Sequence, residues 1–275
     1  MSPERYLGIL REFDGILSYA KEVSSKLTGR TVVEEWEAYA DAIYTKLVCH
    51  AISLRVLSPS LSPPGETQLW DVASCSAIAR SLIEAYDALA YVAFHQVSPS
   101  ERRFRVCLWE LHDQQRRLRM LERIRSTKPE VEAIRSRAQQ LAADLAAYPE
   151  YATASRELHS KVVRGEAPPV HFSQRDANAA SNVNHDYYTA ATMHLSQFVH
   201  TLPMSVHQLM HFRAGEPDAL HACAMPIQYS MAFLAKAVAG MTAAFPEGAV
   251  PAKPETRNAI ELWLGLVEKG VGGAG

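Results

Sequence analysis

"WDVASCSAIARSLIEAYDALAYVAFH", Trp70 to His95, is the stretch whose reading decides the fold. Nearly every side chain in it is apolar or small, and the apolar positions run round the circumference instead of alternating, which is the pattern of a helix buried on most sides. Such a helix needs other helices to cover it, and outward from it the same period recurs. Ser2-Pro3-Glu4 opens a helix that carries Tyr6, Leu10, Phe13 and Leu17 at three- and four-residue steps up to Gly29, and a second runs from about Thr31 to Leu57. The breaker "SPSLSPPGET", Ser58 to Thr67, separates it from the third, for which Thr67 or Asp71 is the capping candidate.

Downstream, Ser98-Pro99-Ser100-Glu101 starts a fourth helix reaching Ser126. After Pro129 the positions Val131, Ile134, Ala138, Leu141 and Leu145 keep the helical phase to Tyr148, and a shorter helix is predicted from Glu150 to Val162. The stretch Arg164 to Asp186, rich in Asn, Pro and Ser, reads as irregular with at most one short helix. Then come "DYYTAATMHLSQFVHTLP" (186–203), a turn at Pro203, a short helix near Val206 to Phe212, an Ala-rich helix to Phe245 and a last helix from Glu255 to Lys269. No run alternates with period two for long enough to be a strand, and there is no internal repeat. The expectation is an all-α multi-helix bundle forming a single domain over 1–275, with an irregular loop at about 164–186.

With 275 residues, 48% hydrophobic and 21% charged, the chain can bury a sizeable core and is no disordered polymer. A net charge of -2 gives no global pull toward nucleic acid or anionic membrane, so RNA is not indicated by charge and any polyanion site must be a local patch. Ala224 to Phe245 is long enough to span a bilayer core of about 30 Å. Its apolarity is mostly Ala and Gly, however, and Ala cannot offset the roughly 2.5–3.5 kcal/mol that a central lysine such as Lys236 costs. It reads as a core helix, with no membrane partner. The start, MSPERYLGILREFDG, lacks the apolar stretch of a secretory signal, which points to the cytoplasm. Cys49, Cys75, Cys107 and Cys223 stand singly among apolar neighbours with no C-x-x-C pair, so buried free thiols are expected and no zinc or redox motif.

In the third helix Ser76, Arg80, Glu84, Asp87, Tyr91 and His95 fall at steps of three or four and share one narrow face. The bland alternative is the solvent side, with Arg80 and Glu84 forming a helical ion pair worth a few tenths of a kcal/mol. The stripe contains no Lys, and an Arg flanked by two acids and a Tyr has the composition of a buried network beside a groove. A second stripe, His185, Thr189, Thr192, Ser196 and His200, lies opposite Ala191, Leu195, Phe198 and Leu202. If both stripes face one interior, Arg80, Glu84 and Asp87 meet Ser196 and His200 across a polar seam.

The segments "ARSLIEAYDALAYV" and "YYTAATMHLSQFVH" together resemble the two signatures of a bacterial all-helical family grouped with the HEPN (higher eukaryotes and prokaryotes nucleotide-binding) bundles: R-x3-E on a central helix, then a later helix with a tyrosine and S-x3-H. The resemblance covers about Ser74 to Thr201. It implies a nucleotide or other small anionic ligand, a setting in bacterial stress or phage defence, Arg80, Glu84 and His200 as the catalytic candidates, and Tyr188 and Ser196 as ligand-binding, to which the stripe on the third helix adds Asp87 and Tyr91. Many HEPN proteins are metal-independent RNases in which Arg holds the scissile phosphate and His handles the 2'-hydroxyl proton in an R-x4-6-H motif, so an endoribonuclease is the first alternative. The literal matches here, Arg105 to His112 and Arg164 to His171, are as many as 20 arginines and 11 histidines produce by chance in a chain of this length. A purely structural interaction module is the second alternative, and whether the protein is an enzyme stays open.

His207 and His211 in "HQLMH" are four apart and could share an ion, with His200 or His221 nearby. The zincin motif needs Glu after its first His, where Gln208 stands, and no E-x-x-H pairs occur, so packing or surface histidines are expected, with no metal and no cofactor. "RRLRMLERIRSTK", Arg116 to Lys128, spreads its charges around a helix as a solvated face does. Its Leu118, Leu121 and Ile124 leave a homodimer open.

Overall fold

A computed structural model describes residues 1–61 and 70–271. Among them are twelve α-helices and no strand, so the chain is an all-α multi-helix protein. In order they are α1 (Pro3–Leu27), α2 (Glu35–Leu57), α3 (Val72–Leu89), α4 (Pro99–Arg123), α5 (Glu130–Ala146), α6 (Pro149–Ala152), α7 (Arg156–Val163), α8 (Gln174–Ala180), α9 (His185–Val199), α10 (Pro203–His211), α11 (Pro217–Ala244) and α12 (Pro254–Lys269). Their starts follow capping chemistry. Ser2, Ser98 and Ser155 accept from the backbone N–H three residues on, and α1 and α4 carry Pro at their first positions. Asp71 caps α3 by accepting from Ser74 N at 2.8 Å. Most of the breaker at 58–67, including the capping candidate Thr67, lies outside the described residues.

Four departures from the sequence pattern have physical reasons. The third helix does not run regularly to His95: α3 ends at Leu89 and continues as a π-helical turn, Ala90–Phe94. Gly240 of α11 faces it, where an added Cβ would come within 2.4 Å of the Phe94 ring. The expected helix at 150–162 is two, because Ser155 caps a new start. Pro203 opens α10 instead of ending in a turn, since proline's missing N–H costs nothing at a first helical position. The Ala-rich helix begins at Pro217, well before Ala224.

Where the sequence pattern suggested a single domain, the described residues gather into two compact units. The first comprises 1–33, 37–94 and 178–275. Its axis is α11, on which α1, α3 and α12 pack, with α9 against α3. Phe13, Ile16, Leu82, Ile83, Met231 and Phe233 are fully buried there. Arg30 ties three stretches of this unit together: it pairs with Glu37 at 2.7 Å and Asp41 at 3.0 Å, and its guanidinium lies 4.1 Å from the Phe245 ring centroid.

The second unit comprises 34–36 and 95–177. It is an α4–α5 hairpin whose Phe104, Leu108 and Leu111 meet Leu141 and Leu145, closed by Leu158 and Val162 of α7.

Cys75, Cys107 and Cys223 are buried free thiols, pushed up to about 12 by burial. Cys49 is not: it is exposed on α2, on the side that Leu47, Val48 and Ala51 leave to solvent. Among the described residues no helix is long and apolar enough to cross a membrane. The suspect stretch 224–245 falls almost wholly within α11, where Lys236 reaches Glu268 at 3.0 Å.

Candidate functional site

The polar seam forms, but with different members from those expected. In the first unit α3 and α9 pack together, and Tyr188 Oη donates to Asp87 Oδ2 at 2.6 Å. Burial, with the Asp87 carboxylate beside it, pushes the Tyr188 hydroxyl far above its ordinary value, so it stays a donor. Arg80 Nε donates to Glu84 Oε1 at 2.9 Å; the side chains are 26% and 59% exposed, so this is a helical surface pair and not part of a buried network. Tyr91 is buried in the core of the π-helical turn, and Ser76 is fully buried with a hydroxyl that has no hydrogen-bond partner among the described residues.

His200 and Ser196 do not join. His200 is exposed at the C-terminal cap of α9, and the Ser196 carbonyl is occupied in accepting its backbone N–H. Twelve residues separate Tyr188 from His200, about 18 Å along the helix and roughly 120° around it. The seam therefore brings Arg80, Glu84, Asp87 and Tyr188 together and leaves His200 out. It holds one guanidinium against two carboxylates, an arrangement that offers an anion no net attraction.

His95, the last member of the first stripe, belongs to a cluster in the second unit. Arg105, 3% exposed, donates from Nη1 to His95 Nδ1 at 3.0 Å, and from Nε and Nη2 to Glu101 Oε1 at 3.1 and 2.5 Å. A guanidinium can only donate, so His95 Nδ1 carries a lone pair, and the ring is neutral with its proton on Nε2. Arg102 Nη2 donates to the His95 carbonyl at 2.9 Å, the Arg105 guanidinium lies 5.2 Å from the Phe172 centroid, and His171 stacks edge-on against Phe104 and Phe172. Burial, reinforced by the Arg105 charge, lowers both His95 and His171 to about 4. The pairing among the described residues is neither of the two literal R-x4-6-H matches: Arg105 acts on His171, while His112 hydrogen-bonds the Ala167 carbonyl at 2.7 Å and Arg164 pairs with Glu166. Arg105, with His95 and Glu101 holding its guanidinium, has no face left for a phosphate.

A cavity with converging charged groups also lies in the second unit. About 270 Å³ is enclosed by Glu34, Glu35 and Trp36, by Arg103, Cys107 and Glu110 of α4, and by Arg137, Leu141, Asp144 and Tyr148. The Glu35 and Glu110 carboxyls are hydrogen-bonded to each other, which, with partial burial, raises Glu35 above the usual carboxylate range. Neighbouring carboxyls oppose each other's ionisation, so Glu35 holds its proton to higher pH than an ordinary carboxyl. Arg137 Nη2 donates to Glu110 Oε2 at 2.8 Å. Arg103, exposed at the edge, has no ion pair among the described residues. Stripe reasoning missed this site because its residues come from separate segments. The available signal was Glu110, placed one turn from Val106 and Cys107 and next to buried Leu111.

Against family models, curated proteins and solved structures, the chain matches none.

Proposed function

We propose that the protein is a small-ligand-binding helical protein whose site is the cavity of the second unit, and that the ligand carries a protonated amine beside an acidic group. The carrying observation is the Glu35–Glu110 pair: two carboxyls hydrogen-bonded to each other, with Glu35 disposed to keep a proton, in a cavity walled by Trp36 and Tyr148. An ammonium group seated between them takes the place of that proton and relieves the repulsion that held it. The ligand's acidic group meets Arg103, whose guanidinium has no ion pair among the described residues. This replaces the small anionic ligand suggested by the HEPN resemblance with a zwitterion, and moves the guanidinium that meets its acidic group from Arg80, already paired with Glu84, to Arg103. A ribonuclease would need Arg80 freed from Glu84 and His200 brought to the same phosphate, and its support is the resemblance alone.

Thermal melts against a panel of α-amino acids, diamines and nucleotides test the reading, because a ligand of the folded state raises the midpoint by mass action. The expected hit is an amine-bearing acid. Its binding heat should depend on the buffer's ionisation enthalpy as proton release requires, more strongly at pH 5.5 than at pH 7.5. Glu35→Gln should remove the buffer dependence and weaken binding about tenfold, roughly 1.4 kcal/mol. A flat panel, or an equal response from Glu35→Gln, defeats the proposal.

A further inference from the structure

From residue 189 to residue 212 the chain contains no Asp, Glu, Lys or Arg, although 21% of the whole is charged. The segment covers most of α9 and all of α10, and in α10 only Ser205 is buried. Around the helix His207 lies about 200° and His211 about 240° from Ser205, so both imidazoles leave from the side opposite the helix's attachment. They are exposed, one turn apart, with Cβ atoms about 5–6 Å from each other. Neither has a hydrogen bond, ion pair or ring contact among the described residues. Met204, Val206 and Met210 flank them at 39%, 39% and 66% exposure.

We infer that His207 and His211 are half of a transition-metal site, of the Zn²⁺ class, completed by the same two histidines of a second copy. An i, i+4 imidazole pair offers two nitrogen ligands to one ion, and nitrogen donors without carboxylate select zinc, copper or nickel over magnesium or calcium. Among the described residues no group of three or more His, Cys, Asp or Glu side chains surrounds an ion position, so one chain alone supplies two ligands. Zinc held structurally takes four, and a two-fold axis through the ion brings an identical pair from another α10. The charge-free segment sets no repulsion of its own against that approach, and the flanking Met and Val side chains are covered by it. The ion is required: α10 is about 14 Å long and cannot by itself supply the roughly 800 Å² per partner of a stable interface. The pairing is therefore metal-dependent.

Sedimentation velocity on tag-free protein stripped with EDTA, then titrated with Zn²⁺, reads the result. The expected outcome is a monomer that doubles in mass at one ion per two chains and reverts with EDTA. His207→Ala and His211→Ala, with circular dichroism confirming their helix content, should each abolish the dimer and weaken Zn²⁺ uptake at least tenfold. Gln208→Ala, on another face of the same helix, should change neither. No Zn²⁺ uptake, one ion per monomeric chain, a dimer without metal, or a dimer surviving either histidine variant overturns the inference.

Discussion

Acid should weaken the protein through His95 and His171, and the size of the loss follows from the Arg105 cluster. Both imidazoles drop from an ordinary 6.5 to about 4 in the folded chain, because burial and the Arg105 guanidinium oppose their charging. The unfolded chain therefore takes up protons first. Stability is whole above about pH 6.5 and falls as pH drops from 6.5 toward 4. Each histidine carries at most about 3.4 kcal/mol, since one pKa unit is 1.36 kcal/mol, and about 2.5 kcal/mol of that is gone by pH 4.5. Because His171 lies close enough to oppose the charging of His95, the joint loss falls between one and two such increments. Glu35 and Asp41, both raised, shift stability the other way over acid pH, so wild type must be compared with His95→Gln/His171→Gln at each pH. Glutamine keeps an acceptor for Arg105 and does not titrate. Urea melts at pH 7.5, 6.0, 5.0 and 4.5 should show the wild type losing ground steadily against the double variant. A gap that does not change with pH would refute the assignment of neutral, buried imidazoles.

The seam and the close approach at Gly240 give two further outcomes. Tyr188→Phe removes a donor to the Asp87 carboxylate and should cost about 1.5–3 kcal/mol in urea melts, whereas Arg80→Ala, breaking a solvent-screened pair, should cost under about 1 kcal/mol. The reverse order would place Arg80, and not Tyr188, at the centre of the seam. Gly240→Ala forces a methyl into the Phe94 ring and should lower stability by about 1–3 kcal/mol, seen as a lower thermal midpoint; an unchanged midpoint would show that the π-helical turn yields freely.

Helices were legible because their signals are local. Ser2, Asp71, Ser98 and the apolar steps after each need no knowledge of the rest of the chain. The facing of α3 and α9 was legible only in part. Asp87 and Tyr188 were both singled out, but periodicity says which residues share a face and not which turn of one helix meets which turn of another. His200 was thus placed in a seam it does not reach. His95 was misplaced for a different reason: the π-helical turn at Ala90–Phe94 breaks the 3.6-residue phase, and the close approach that its Phe94 makes is to Gly240, 146 residues further on. The cavity was illegible as a unit, since Glu35, Glu110 and Arg137 each look like an ordinary polar position on an amphipathic helix.

The first unit is discontinuous: α1 at its start packs on α11, which ends at Ala244, while the second unit is complete by Ala177. That interleaving fixes an order of events during translation. At about 5–20 residues per second, roughly 10–40 s pass between the emergence of Leu27 and that of Ala244. Through that interval Tyr6, Phe13 and Ile16 have no α11 to bury them, although the second unit already has every residue it needs. Synthesis therefore passes through a nascent chain in which the second unit has all its residues while the apolar face of α1 still lacks α11.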